Sequence, residues 1–180
     1  LSAAQLNATA SVSGTFAYTP AAGTVLSAGA NQQLSVAFTP TDTNKYNSVS
    51  ASVQITVQKA TLTVTADNAS RTYGDANPAF TASYSGFKNG ETLATSGVTG
   101  SPSLTTSATA TSSVVGSPYA ITAAVGTLTA GNYSFTFVNG QVTITPTAAS
   151  VTPNAASKTY GDTDPALTGT LSGFLAGDAV

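Results

Sequence analysis

The sequence contains no cysteine, histidine, methionine or tryptophan. Without cysteine there is no disulfide and no thiolate metal site. Without histidine as well, the Ser-His and Cys-His nucleophile systems and the usual zinc site are excluded. Charge is scarce too: Asp, Glu, Lys and Arg make up 7% of the chain, against about 25% in ordinary globular proteins. The basic residues, Lys45, Lys59, Arg71, Lys88 and Lys158, are scattered. Nucleic-acid binding needs clustered cations to neutralise phosphates, so it is set aside. A basic amphipathic membrane helix fails on the same ground. No apolar run approaches the roughly 18 residues that span a bilayer, so no membrane insertion is expected of this segment. Glu91 is the single glutamate, and the aspartates fall mostly in turn-like sequence. A carboxylate-pair glycosidase, which needs two acids flanking a cleft, has little to draw on.

Threonine, serine, alanine and valine fill the space that charge leaves. Threonine and valine suit the pleated, half-buried surface of a strand, and serine, glycine, asparagine and proline supply turns. Polar and apolar residues alternate over Gln33–Phe38, Ser50–Val57, Thr61–Thr65 and Gln141–Thr145. This period of two places one strand face on a core and the other in water. Tyr133–Val138 followed by Asn139-Gly140 and Gln141–Thr145 reads as a hairpin with a type I′ turn. One helical turn is expected at Asn89–Ala94, and the opening Leu1–Leu6 reads as the middle of a strand pair.

An internal repeat organises the chain. Arg71-Thr-Tyr-Gly-Asp-Ala-Asn-Pro-Ala-Phe80 is echoed by Lys158-Thr-Tyr-Gly-Asp-Thr-Asp-Pro-Ala-Leu167, and Ser85-Gly-Phe87 by Ser172-Gly-Phe174. Gly90-Glu91 matches Gly177-Asp178, and the offset is 87 residues throughout, from Tyr73 to Tyr160. Three modules follow: a related but distinct one at 1–58, a complete one at 59–145, and a truncated second copy at 146–180. No leader peptide is visible, so export would rely on one outside these residues. The expected fold is all-β, with tandem small antiparallel β-sandwich modules of Ig-like type. A β-grasp-like arrangement is the alternative for the middle module, and it requires a real helix at Asn89–Ala94.

The Tyr73-Gly74-Asp75 motif with Pro78, then Ser85-Gly86-Phe87, Gly126-Thr-Leu128 and Asn132–Gly140, resembles the MBG domain of the YGX type. Gly14–Pro20, Phe38–Asp42 and Tyr46 resemble a bacterial Ig-like repeat domain, and that resemblance implies that the module at 1–58 lacks its first strand. The resemblance implies long, repetitive surface proteins and adhesins, with mucin or glycan binding in some relatives. It therefore implies an extracellular, cell-surface or secreted location.

The signature itself reads as turn chemistry. In Tyr73, Gly74, Asp75 and Pro78, and again in Tyr160, Gly161, Asp162 and Pro165, glycine supplies an unusual backbone shape, aspartate caps the turn and proline limits re-entry into pairing. The rival reading has Asp75 with Asn77, and Asp162 with Asp164, binding calcium. Two such residues fall short of the 6–8 oxygen ligands required, so no metal and no cofactor are expected. Asp42 and Tyr46 have the spacing of a tyrosine corner, in which a buried hydroxyl bonds back to the backbone. Asn132-Tyr133 is a second candidate for that role. Ser85 and Lys88 match Ser-x-x-Lys, but Leu175 replaces the lysine in the second copy, so no enzyme is expected. An isopeptide cross-link would want Lys45 or Lys88 buried in a strand near Asp42 or Glu91, and both lysines read as loop residues. The sequons at Asn7, Asn68 and Asn132 arise readily by chance in so threonine-rich a chain. The expected function is a structural stalk or fibre segment whose partners are neighbouring modules. Two alternatives stand beside it: a glycan-binding module using Phe16, Tyr18, Tyr84 or Tyr119, and a filament subunit joined to copies of itself by strand complementation.

Overall fold

The structure, a computed structural model, describes residues 1–178 and contains strands and turns but no helix among them. The fold is all-β and made of several small sheets, as in β-sandwich modules. Contacts divide the chain into two compact units. The first comprises Leu1–Val64, Tyr84–Pro102 and Val125–Thr136, and the second Thr65–Ser83, Ser103–Ala124 and the chain from Phe137 onward.

The first unit opens with an antiparallel sheet of β1 (Gly14–Thr19), β2 (Gly29–Pro40) and β3 (Val49–Val57), in the order β1-β2-β3. Register explains its two faces. Phe16 sits opposite Phe38, Tyr18 opposite Val36, and Leu34 opposite Val53. Because side chains alternate, these apolar residues share one face, and Thr15, Thr39, Ser35 and Ser52 share the other. Phe16 packs on Phe38 with ring centroids 5.0 Å apart and stacks on Tyr18 at 6.3 Å. Leu1–Leu6 is no strand. The amides of Gln5 and Leu6 both bond the Ser2 carbonyl in a tight turn, and the Leu1 nitrogen donates to the Thr24 carbonyl at 2.6 Å.

Seven strands follow: β4 (Ala60–Ala66), β5 (Ala69–Thr72), β6 (Ala82–Ser85), β7 (Ser103–Thr106), β8 (Tyr119–Ala124), β9 (Tyr133–Val138) and β10 (Gly140–Thr145). They form one sheet ordered β6-β4-β9 and another ordered β5-β10-β8-β7. The β7–β8 and β8–β10 pairs are antiparallel, whereas β5 and β10 run parallel. In the second unit Ala66, Ala108, Ile121, Ala123 and Val142 form a buried core, with Phe80, Leu104, Tyr119 and Phe137 packed against it.

The expected Asn139-Gly140 hairpin is not formed. β9 and β10 are separated by one residue yet belong to different sheets, and so do the neighbouring strands β4 and β5, separated by two. The chain therefore changes sheets twice, through bends rather than turns. Neither Asn139 nor Gly140 has a positive φ. Gly140 is needed for closeness instead, since a Cβ there would lie 2.5 Å from the Ala66 carbonyl oxygen. Asn139 accepts from the Ala123 amide at 3.1 Å, and Asn68 accepts from the Gln141 amide at 2.9 Å. The two asparagines pair backbone groups that the bends leave without strand partners.

The helix that a β-grasp arrangement requires at Asn89–Ala94 is absent. Asn89 and Gly90 both have positive φ, which stops helical propagation, and only a single turn forms downstream, where the Ser96 amide reaches the Thr92 carbonyl. In the second copy β11 (Ser150–Pro153) and β12 (Gly169–Ser172) make an antiparallel hairpin. β12 lies 87 residues beyond β6, matching it end for end.

The crowding at the sheet change predicts a stability difference between two glycines. Gly140→Ala should lower the unfolding free energy by about 1–3 kcal/mol, the usual cost of overpacking. Gly131→Ala, with nothing within 4 Å of the new Cβ, should change it by less than about 0.5 kcal/mol. Urea denaturation of both variants measures the difference.

Candidate functional site

The chain carries the repeat signature twice, and the structure shows what its residues do. Arg71 lies near the end of β5 and is only 7% exposed. Its Nε donates to Asn77 Oδ1 at 2.8 Å, Nη1 to the Thr72 carbonyl at 3.1 Å, and Nη2 to the Thr109 carbonyl. Asn77 in turn donates through Nδ2 to the Ala108 carbonyl at 2.7 Å. A buried cation requires hydrogen-bonding oxygens in place of lost water, and here they are uncharged. The planar guanidinium suits this arrangement because its donors diverge in fixed directions.

Between Arg71 and Asn77 the chain makes the signature turn. Gly74 has φ +94°, and the Asp75 amide bonds the Thr72 carbonyl at 3.2 Å. The second copy repeats it: Gly161 has φ +92°, and the Asp162 amide bonds the Thr159 carbonyl at 3.1 Å. Only glycine adopts this backbone without a side-chain penalty. Asp75 and Pro78 are exposed, as are Asp162 and Pro165.

The residues offered to calcium have other partners. Asn77 serves Arg71. Its counterpart Asp164 forms an ion pair with Lys158, the counterpart of Arg71, at 2.5 Å. The two copies thus keep one interaction with different chemistry, a guanidinium on an amide in one and an ammonium on a carboxylate in the other. Their surroundings differ as well. β5 pairs with β10 in its sheet, whereas residues 156–159, the counterpart of β5, form no strand. Tyr160 is consequently fully exposed at 103%, whereas Tyr73 is half-buried.

Tyr46 does not make a tyrosine corner. It is 49% exposed. Asp42 instead closes a local turn, accepting the Asn44 amide on its carboxylate at 3.2 Å and the Tyr46 amide on its carbonyl at 3.1 Å, with Lys45 paired to it at 3.3 Å. The buried tyrosine is Tyr133, 2% exposed. Its hydroxyl donates to Glu91 Oε2 at 2.5 Å and accepts the Lys88 amide at 3.0 Å. The hydrogen bond donated to the Glu91 carboxylate holds the Tyr133 hydroxyl above its ordinary pKa, partly opposed by the bond from the Lys88 amide. Tyr18 has a similar role nearer the start, its hydroxyl accepting the Ala8 amide at 2.9 Å.

The remaining candidates sit in less suggestive places. Phe16, Tyr18, Tyr84 and Tyr119 are all half-buried, and Tyr119 donates to the Ser113 carbonyl. Ser85 closes β6, and both it and Lys88 are exposed. Lys45 is exposed, as a loop lysine should be. The sequon residue Asn132 accepts the Ala28 amide at 2.9 Å.

The network around Arg71 was not anticipated from the sequence. The signal was present in the repeat, where positions 71 and 158 are both basic and positions 77 and 164 both carry a short side-chain carbonyl. Comparison with known proteins adds one finding. The family model described as MBG domain (YGX type) matches residues 62–143 and 149–180. Searches among curated proteins and among solved structures give no significant match.

The buried cation predicts an asymmetry between the two copies. Arg71→Leu leaves Asn77 and the Thr109 carbonyl without their donor and should destabilise the chain by about 2–3 kcal/mol. Lys158→Leu removes an exposed pair and should cost less than about 1 kcal/mol. Thermal and urea unfolding of the two variants checks this directly.

Proposed function

The chain belongs to the MBG domain family of the YGX type, a repeat domain of bacterial surface proteins, and from that premise we propose that it is a structural spacer of an extracellular, adhesin-like protein. Its task is to hold other parts of that protein at a distance from the cell. The observation that carries the reading is the use made of the signature. Arg71, Asn77 and Gly74 fold their own module, and Lys158 and Asp164 pair with each other. Residues that recur for this purpose mark a building unit rather than a reactive site, and the reading assigns the chain no catalysis.

Two further features support it. Only two residues separate β3 from β4, which leaves little freedom between successive elements. The low charge and absence of cysteine also suit a chain whose stability rests on many small β modules, each stabilised by its neighbours.

A second reading, assembly of copies through an open sheet, has one observation in its favour. Val49 and Val53 lie on the apolar face of the first sheet yet remain 61% and 64% exposed. Sedimentation at high concentration addresses it, and concentration-dependent growth would favour assembly.

Electron microscopy and small-angle scattering test the spacer. Chains carrying increasing numbers of copies should show a maximum dimension that grows in proportion to copy number. Particles that stay round as copies are added would overturn the reading.

A further inference from the structure

The two copies share a loop that follows Ser-Gly-Phe, at Gly86–Glu91 in one and Gly173–Asp178 in the other. Its backbone is the same in both: φ is +102° at Gly86 and +90° at Gly173, then +73° at Gly90 and +105° at Gly177. Its closing bond is also shared, the Glu91 amide to the Lys88 carbonyl at 2.9 Å and the Asp178 amide to the Leu175 carbonyl at 3.1 Å. Two side chains differ. Lys88 becomes Leu175, and Glu91 becomes Asp178.

Each pair suits what lies beside it. Glu91 is long enough to reach Tyr133 of its own module. Lys88, Asn89 and Glu91 line a cleft of about 340 Å³ together with Val25–Ala28 and Val57 of the preceding sheet region, and Asn132 at its rim accepts the Ala28 amide. In the second copy the shorter Asp178 folds back to accept the Leu175 amide on Oδ2 at 2.9 Å. Its Oδ1 accepts the Tyr73 hydroxyl at 2.7 Å. Leu175 is half-buried, and its methyl carbons lie against Gly74, where a Cβ would come within 3.0 Å of them.

We propose that in the second copy this loop is a docking element by which one MBG module seats on the module before it, through its third and sixth residues, Leu175 and Asp178. Leu175 and Asp178 fit the Tyr73-Gly74 turn of another YGX module. The turn gains a second use: the tyrosine offers a hydroxyl and the glycine a surface without a Cβ. In the first copy the loop is held by its own module instead, through the Tyr133 hydroxyl between Glu91 and the Lys88 amide. The inference deepens the spacer reading, because docked loops restrict bending between neighbours. It is tested at single residues, so its outcome is independent of whether a long array is extended.

Charge and hydrogen bonding make the docking measurable. The Tyr73 hydroxyl, then the Leu175 amide, hold the Asp178 carboxyl below its ordinary pKa, and the carboxylate raises that of Tyr73. A depressed carboxyl pKa stabilises the docked loop above the undocked value of about 4 and is lost as pH falls through the docked one.

The test uses the whole chain, with the Asp178 carboxyl followed by carbon NMR titration and the Leu175 amide by hydrogen exchange. Tyr73→Phe keeps the ring and removes the hydroxyl. The Asp178 carboxyl should then titrate higher than in the unmodified chain, and the Leu175 amide should exchange about five- to tenfold faster. Leu175→Lys, which installs the residue of the other copy, should release the loop in the same way while leaving the Tyr133–Glu91 pair intact. An Asp178 carboxyl that titrates at the ordinary aspartate value in the unmodified chain would overturn the proposal. So would identical titration and exchange in all three proteins.

Discussion

A cation taken out of water must be given oxygens, and Arg71 is the place where this chain meets that demand. Its donors reach Asn77, the Thr72 carbonyl and the Thr109 carbonyl. Those acceptors belong to the end of β5, to the signature that follows it and to the loop between β7 and β8. One side chain therefore ties its own strand end and turn to a loop 38 residues along the chain. The Tyr73-Gly74 turn is the outer consequence. With Arg71 and Asn77 fixed on either side, the tyrosine hydroxyl and the bare face of the glycine are presented together.

The contrast with the second copy shows how much depends on that cation being enclosed. Lys158 and Asp164 preserve the pairing but lie in the open. There water solvates both charges, the pair contributes little, and residues 156–159 form no strand. The signature turn forms in both copies, at the end of a strand in the first and in an open stretch in the second. Local turn chemistry survives the difference, since Gly74 and Gly161 have nearly the same φ. Turn geometry here is written in the local sequence, and burial is supplied by partners from elsewhere in the chain.

The strands were legible because a period of two is a local property. Gln33–Phe38, Ser50–Val57, Thr61–Thr65 and Gln141–Thr145 all lie inside strands that the structure contains. What could not be read were features whose cause is far away in sequence. Asn139-Gly140 satisfies the local rule for a type I′ turn, but the same dipeptide serves equally where two backbones must approach. The carbonyl that decides between these uses belongs to Ala66. Of the two tyrosines read as corner candidates, Tyr133 is the buried one whose hydroxyl takes a backbone amide, and Tyr46 is not. Tyr46 has the spacing, whereas Tyr133 has the acceptor, Glu91, 42 residues upstream. Arg71 was passed over because a scattered set of five cations suggested only solvated surface, and the repeat alone hinted otherwise.

The docking proposal fastens the second copy to the first, so the direct measurement is whether the two reorient together. Residual dipolar couplings for amides of β5 and β10 and for those of the β11–β12 hairpin can be fitted with separate alignment tensors. The docking of Leu175 and Asp178 on the Tyr73-Gly74 turn predicts that the two sets share one tensor in orientation and magnitude. Two distinct tensors, with a weaker one for the hairpin, would mean that the segments move independently and would contradict the account.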